Sequence, residues 1–262
     1  MHGLGTAKRL WALDSPTFTI DRADLMVGAS GEVTIPMPAY LIEHPRGLVL
    51  FDTGLVPESI DDPHSVYGEL ADLTRLAVKP EQRLDKQLRA LGYDTSDVTH
   101  VVLSHSHFDH AGGLYLFPEA TFYVGAGEFG FAFWPIAVQS PYFRLDDIER
   151  VRHARWRIIH EPQVDIFGDG SLIVLLTPGH TPGELSMLVR LANRNFILTG
   201  DTVHLRDALE KEVPDPIDWN TDLAVQSLQK LKIVRDAADA TVWITHDPDD
   251  WAELQHAPHC YE

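Results

Sequence analysis

The feature that most constrains this chain is a repeated pattern in which a β-branched, apolar run ends on a histidine or an aspartate. "THVVLSHSHFDH" closes on a cluster holding His105, His107, Asp109 and His110, "IVLLTPGH" on His180, "FILTGD" on Asp201 and "VWITH" on His246. Runs of this composition are strands buried in a sheet. Side chains alternate along a strand, so His105 and His107 point to one side and two imidazoles can converge on one ion. Asp109 and His110 follow one turn later, and Ala111-Gly112-Gly113 keeps the neighbourhood small enough for the backbone to fold tightly around them. Ligand-capable residues at the ends of several separate strands are what one rigid site between two sheets requires. Neutral imidazole with carboxylate suits zinc and its first-row neighbours, whereas magnesium and calcium prefer oxygen cages. A helical HExxH zinc site would space its histidines four apart, so the geometry expected here is built from loops.

The remaining pattern sets the scaffold. Strand-like runs also occur at "MPAYLIEH", "LVLFDTG", "ATFYVG", "SLIVLLTPG" and "LSMLVRL". Hairpins are expected across Pro45-Arg46-Gly47, with strands near 38–43 and 48–52, and across Ala192-Asn193-Arg194-Asn195. "RVRHARWRIIH" reads as a strand with Trp156 and Ile158 facing inward and its arginines outward. Leu84, Leu88 and Leu91 recur at helical spacing until Gly92 stops the helix. Leu223, Leu228, Leu231 and Val234 mark a second helix, capped by Asn220 or Thr221. Strand runs in both halves with helices between them predict one α/β domain over residues 1–262, with two sheets packed together and helices outside. The aromatic segment 129–143 reads as loop or short helices packing on the core, as a wall of the site, or both, and the region around Met26 and Val27 as a further apolar wall. Residues 55–79 either overhang the site or serve a contact in a homodimer.

Charge narrows the partners. With 39 acidic against 21 basic residues the net charge is −18, which argues against nucleic acid, because phosphate binding needs a basic surface that releases counterions. The same charge argues against an anionic membrane surface. Cys260 is the only cysteine, so neither an intramolecular disulfide nor a thiolate cluster can form, in accord with a reducing compartment. The stretch "MHGLGTAKRLWALDSP" lacks the apolar core of a signal peptide and no run reaches membrane-spanning length, so a cytoplasmic location is expected.

"SHSHFDHAGG" resembles the HxHxDH signature of the metallo-β-lactamase superfamily. "FDTG" upstream, "TPGHTPG" at 177–183, "LTGD" at 198–201 and "THD" at 245–247 extend the likeness from about residue 33 to 250. The resemblance implies an αββα sandwich of two mixed β-sheets with helices on the outer faces. It also implies a centre of two divalent metal ions per chain, zinc first, with iron, manganese and cobalt also accepted by these ligands. His105, His107 and His180 resemble the ligands of the first ion, Asp109, His110 and His246 those of the second, and Asp201 the carboxylate bridging them. Asp52 and Thr53 are expected to hold the loop rather than touch an ion. Two ions sharing one oxygen bring the acidity of that water near neutrality, which supplies a hydroxide for ester hydrolysis, with Asp109 passing a proton to the departing alkoxide.

Within the superfamily, the compact acidic chain lacks the extra domain and surface charge of the nucleases and the flavodoxin-like domain of the flavodiiron proteins. Its spacing resembles that of the N-acyl-homoserine lactone lactonases, the quorum-quenching enzymes: 70 residues from His110 to His180, 21 on to Asp201 and 45 on to His246. That resemblance implies a small-molecule lactone substrate. Those lactonases place a tyrosine three residues after the bridging aspartate, where its hydroxyl helps hold the substrate carbonyl. This chain has His204 there, whose imidazole N–H can donate a similar hydrogen bond. The alternative is a thioesterase of the glyoxalase II kind, a general esterase or another lactonase using the same centre.

Overall fold

Alternation along the strands explains the architecture of this computed structural model, which describes residues 4–262. Met1, His2 and Gly3, which begin the stretch read above for a signal peptide, lie outside the described residues. The N-terminal part contributes β1 (Arg9–Ala12), β2 (Thr17–Asp21), β3 (Glu32–Pro36), β4 (Tyr40–His44), β5 (Gly47–Phe51), β6 (Val98–Val102), β7 (Thr121–Gly125) and β8 (Arg155–Ile159). The C-terminal part contributes β9 (Gln163–Asp165), β10 (Leu172–Leu176), β11 (Leu185–Arg190), β12 (Asn195–Leu198) and β13 (Ala240–Trp243). One sheet runs β1-β4-β5-β6-β7-β8, the other β13-β12-β11-β10-β9, and β2 pairs with β3 as a separate hairpin. Both large sheets are mixed: β5 to β8 are parallel in the first, and only β12 and β13 in the second.

Tyr40, Ile42, Val49, Phe51 and Val102 of the first sheet meet Leu172, Val174, Met187, Phe196, Leu198 and Trp243 of the second in one buried layer. Residues at the intervening positions point outward. Leu41, Leu50, Val101 and Phe122 pack under Leu84 and Leu88 of the Leu84–Ala90 helix. Leu175, Leu188, Ile197 and Val242 pack under Leu228 and Leu231 of the Thr221–Ala238 helix. Each fully buried large apolar side chain contributes about 1.5–3 kcal/mol. The result is the expected αββα order of layers.

Local details refine the reading from sequence. Asn220 is the cap of the long helix, accepting from the Leu223 amide at 3.0 Å. Asn195, expected in a turn, already pairs with Arg190 as a strand residue. The arginine-rich stretch does form β8, but its buried residue is Ile159, while Ile158 is exposed and Trp156 packs outward on Phe122 and Phe129. That correction follows from β8 lying at the sheet edge, where the outer face is only partly covered. Residues 55–79 pack through Ile60, Tyr67, Leu70 and Val78 on the β2–β3 hairpin. Among the described residues no helix is long and apolar enough to cross a membrane.

Candidate metal centre

The loop after β6 carries His105, His107, Asp109 and His110, and it is held by tight backbone contacts. A Cβ on Gly112 would lie 2.1 Å from the Val56 amide nitrogen, so only glycine fits. Thr53 Oγ1 donates to the His110 carbonyl at 2.8 Å and accepts from the Gly113 amide at 3.1 Å. Asp52 accepts from the Ser104 amide at 2.7 Å and places its other oxygen 2.9 Å from His110 Nδ1. Asp52 and Thr53 thus brace the loop, as expected. His180 follows β10 through Gly179, whose added Cβ would meet the Ala224 backbone at 2.4 Å. Asp201 follows β12 through Gly200, at φ +56°, and His246 follows β13.

These separate strand ends meet. Ligand-capable atoms of His105, His107, His180 and Asp201 all lie within 4.8 Å of one another, and so do those of Asp109, His110 and His246. Asp201 faces both groups. Its Oδ2 is 3.5 Å from His105 Nε2 and 3.6 Å from His180 Nε2, while its Oδ1 is 2.9 Å from His246 Nε2 and 3.3 Å from His110 Nε2. All seven residues are buried.

The outer nitrogens decide what the inner ones can do. His246 Nδ1 lies 2.6 Å from the Pro36 carbonyl oxygen, so it carries the proton and donates. His110 Nδ1 faces Asp52 in the same way, His180 Nδ1 is 3.3 Å from Asp218 Oδ1, and His105 Nδ1 is 3.1 Å from Ser104 Oγ, which itself donates to Asp52. When these rings are neutral, as holding a cation requires, each inner Nε2 is a bare lone pair beside a carboxylate oxygen of Asp201. Among the described residues, His105 Nε2 and Asp201 Oδ1 have no hydrogen-bond partner. Leaving a buried polar atom unpaired costs about 1–3 kcal/mol. Converging lone pairs of imidazole and carboxylate, lacking donors, are a donor set that fits divalent cations.

Charge states follow from the same crowding. Burial, and then the charge of His110, hold the His105 imidazole well below its ordinary range, and burial with His180 does the same for His107. Burial opposes charge on Asp201 too, but His246, His110, His204 and His105 outweigh it and hold that carboxyl well below the ordinary range. Burial also opposes charge on His110, where Asp201, Asp109 and Asp52 prevail and raise it.

His204 is buried beside the same centre. Its Nε2 is 3.0 Å from Asp201 Oδ2, its Nδ1 is 2.9 Å from Asp215 Oδ2, and its ring lies nearly parallel to that of His246, 5.4 Å away. A cleft opens over the centre between Phe18, Ile20, Leu25, Tyr142 and Ile217, with Asp109 and His204 also lining it. Tyr142 brings the aromatic segment to the wall, as expected. Leu25 brings the region around Met26 and Val27 to the wall, while Val27 itself is exposed. Residues 55–79 line none of this cleft; Tyr67 packs edge-on against Phe108 and backs its wall from behind.

Four supporting carboxylates were missed from sequence: Glu128, Glu184, Asp215 and Asp218. Glu128 accepts from the Ser106 amide at 2.8 Å and from Thr181 Oγ1 at 2.6 Å, joining the His107 and His180 loops. Glu184 directly follows "TPGHTPG", and its position there was the available signal; "PDPID" reads only as a turn.

The model of the Metallo-beta-lactamase superfamily matches residues 37–238. The chain is 35% identical over 259 residues to the N-acyl homoserine lactonase AttM of Rhizobium radiobacter, covering 97% of this chain and 98% of that one. It is 25% identical over 252 residues to the N-acyl homoserine lactonase of Bacillus cereus, covering 92% and 94%. Among solved structures it is similar to an N-acyl homoserine lactone hydrolase with the product N-hexanoyl-L-homoserine bound at its catalytic metal center, at TM-score 0.84 and 24% identity, covering 98% of this chain and all of the other (100%).

Proposed function

This chain belongs to the metallo-β-lactamase superfamily, and from that premise we propose that it is a metal-dependent hydrolase that opens the lactone ring of N-acyl homoserine lactones. The observation that carries the reading is the 35% identity, over 97% of the chain, to a relative named for that activity. The convergence of seven donors supports it. We read the chain as a single hydrolase unit, because strand ends from both sheets contribute to one centre. His105, His107 and His180 would hold one cation, Asp109, His110 and His246 a second, with Asp201 between them. Imidazole-rich donors with carboxylate favour zinc. The lone Cys260 accords with a reducing compartment such as the cytoplasm.

Two divalent cations, when bound, supply an acidified water and a Lewis acid for the substrate carbonyl. The chain's own residues do the rest. Burial pushes the Asp109 carboxyl up, but His110 and then His246 outweigh it and keep it ionised, so it can receive a proton and return it to the ring oxygen as the ester bond breaks. His204 borders the cleft with its Nε2 3.0 Å from Asp201 Oδ2, and once a cation takes up that carboxylate its Nε2–H would be released to donate to the lactone carbonyl. Phe18, Ile20, Leu25 and Ile217 exclude water from the reacting bond.

The test is turnover by purified, metal-loaded protein on a panel of lactones and thioesters. Ring opening of N-hexanoyl homoserine lactone is expected. Turnover of thioesters with no ring opening on any lactone would refute the reading.

A further inference from the structure

Four imidazoles at the centre have an acceptor behind the outer nitrogen, and His204 is a fifth, backed by Asp215. Buried Asp215 and half-buried Asp218, whose side chain is itself almost fully covered, come from one short loop. The loop braces itself: the Asp215 amide donates to Asp218 Oδ2 at 2.9 Å, and the Ile217 amide donates to Asp215 Oδ1 at 2.9 Å. It is also tied to the His180 turn. The Trp219 amide donates to the His180 carbonyl at 3.1 Å, and Gln139 Nε2 donates to the carbonyls of both His180 and Ile217, at 2.7 and 2.8 Å. Each carboxylate then meets a different ring, Asp218 that of His180 and Asp215 that of His204.

We propose that this loop divides two tasks between its carboxylates: Asp215 is a positioning residue for His204 and sets turnover, while Asp218 is a positioning residue for His180 and sets cation retention. A ring flip of His204 would put carbon where Nδ1 now lies 2.9 Å from Asp215 Oδ2 and replace a polar contact with an apolar one. Asp215 therefore keeps Nε2 turned toward Asp201 and the cleft. His180 stands in the donor group, so loosening its outer nitrogen acts on the cation instead. The inference rests on the lactone-opening reading of the site.

The experiment uses the full, zinc-loaded chain and the variants Asp215→Asn, Asp215→Glu, Asp218→Asn, His204→Tyr and the double variant Asp215→Asn/His204→Tyr. Readouts are zinc per chain after dialysis, and kcat and KM on N-hexanoyl homoserine lactone. Removing such a supporting partner costs about 10–100-fold in activity or metal affinity. Asp215→Asn is expected to lower kcat by about tenfold or more with KM and zinc unchanged, and Asp215→Glu to recover part of the loss. Asp218→Asn is expected to lose zinc. In the His204→Tyr background, Asp215→Asn should have little further effect, because the ring it holds is gone. Equal losses in both backgrounds, zinc loss in Asp215→Asn, or an unchanged kcat would each overturn the proposal. Zinc content needs no substrate: if the unaltered chain opens no lactone, the activity reading fails, yet zinc loss in Asp218→Asn alone still supports the division and loss in both or neither overturns it.

Discussion

Removing the cations should destabilise the fold by an amount the site itself sets. His105 Nε2 and Asp201 Oδ1 are buried without hydrogen-bond partners among the described residues. At about 1–3 kcal/mol for each unpaired atom, the two represent about 2–6 kcal/mol that bound cations relieve. Mass action gives a similar figure: two sites, each with free metal at about 100 times its Kd, stabilise by about 5 kcal/mol. At about 2–4 °C per kcal/mol for a domain of this size class, chelation should lower the melting temperature by about 10–20 °C. Scanning calorimetry at graded chelator and restored zinc, with metal content measured on the same samples, reads this directly. A protein stripped of metal that melts at the temperature of the loaded one would show that the lone pairs at Asp201 are not relieved by cations, and the reasoning would fall.

Four other outcomes are expected. His110→Ala or Asp201→Ala should lose at least one cation per chain and most lactone turnover, read by metal analysis beside kinetics; full occupancy in either would count against the donor assignment. His204→Phe should slow turnover with metal content unchanged, and activity equal to the unaltered chain would remove His204 from the reaction. Gly112→Ala drives a Cβ into the backbone at Val56, so denaturant melts should show a loss of about 1–3 kcal/mol or more. Burial pushes Asp169 up, but Ser171 and then His44 outweigh it and hold the carboxyl down to about 2. Since the unfolded value is about 3.9, its contribution is present above that pH and fades as pH falls toward about 2. Asp169→Asn should flatten the acid dependence of stability in that window, and urea melts there check it.

The parts of the molecule legible in sequence were those where one physical rule acted alone. Strands such as β4, β5, β10 and β11 are apolar on both faces because each is covered twice, once by the other sheet and once by helices. The donors stood out because each ends such a run. β1, the β2–β3 hairpin and β9 were not anticipated: they are short or peripheral, and their pairing depends on distant partners. Ile158 and Ile159 exchanged roles for a related reason, since an edge strand offers no second neighbour to fix which side is covered. Asp215 and Asp218 escaped because a Pro–Asp turn looks alike whether it faces solvent or an imidazole.

The crossing from β8 to β9, at His160, Glu161 and Pro162, is exposed and separates the donors into two sets. His105, His107, Asp109 and His110 precede it, and His180, Asp201 and His246 follow it. A chain severed at that point would yield two fragments, neither holding a complete set. An ion joining them would act as a rivet through both sheets, so rejoining of the severed pieces should depend on its supply.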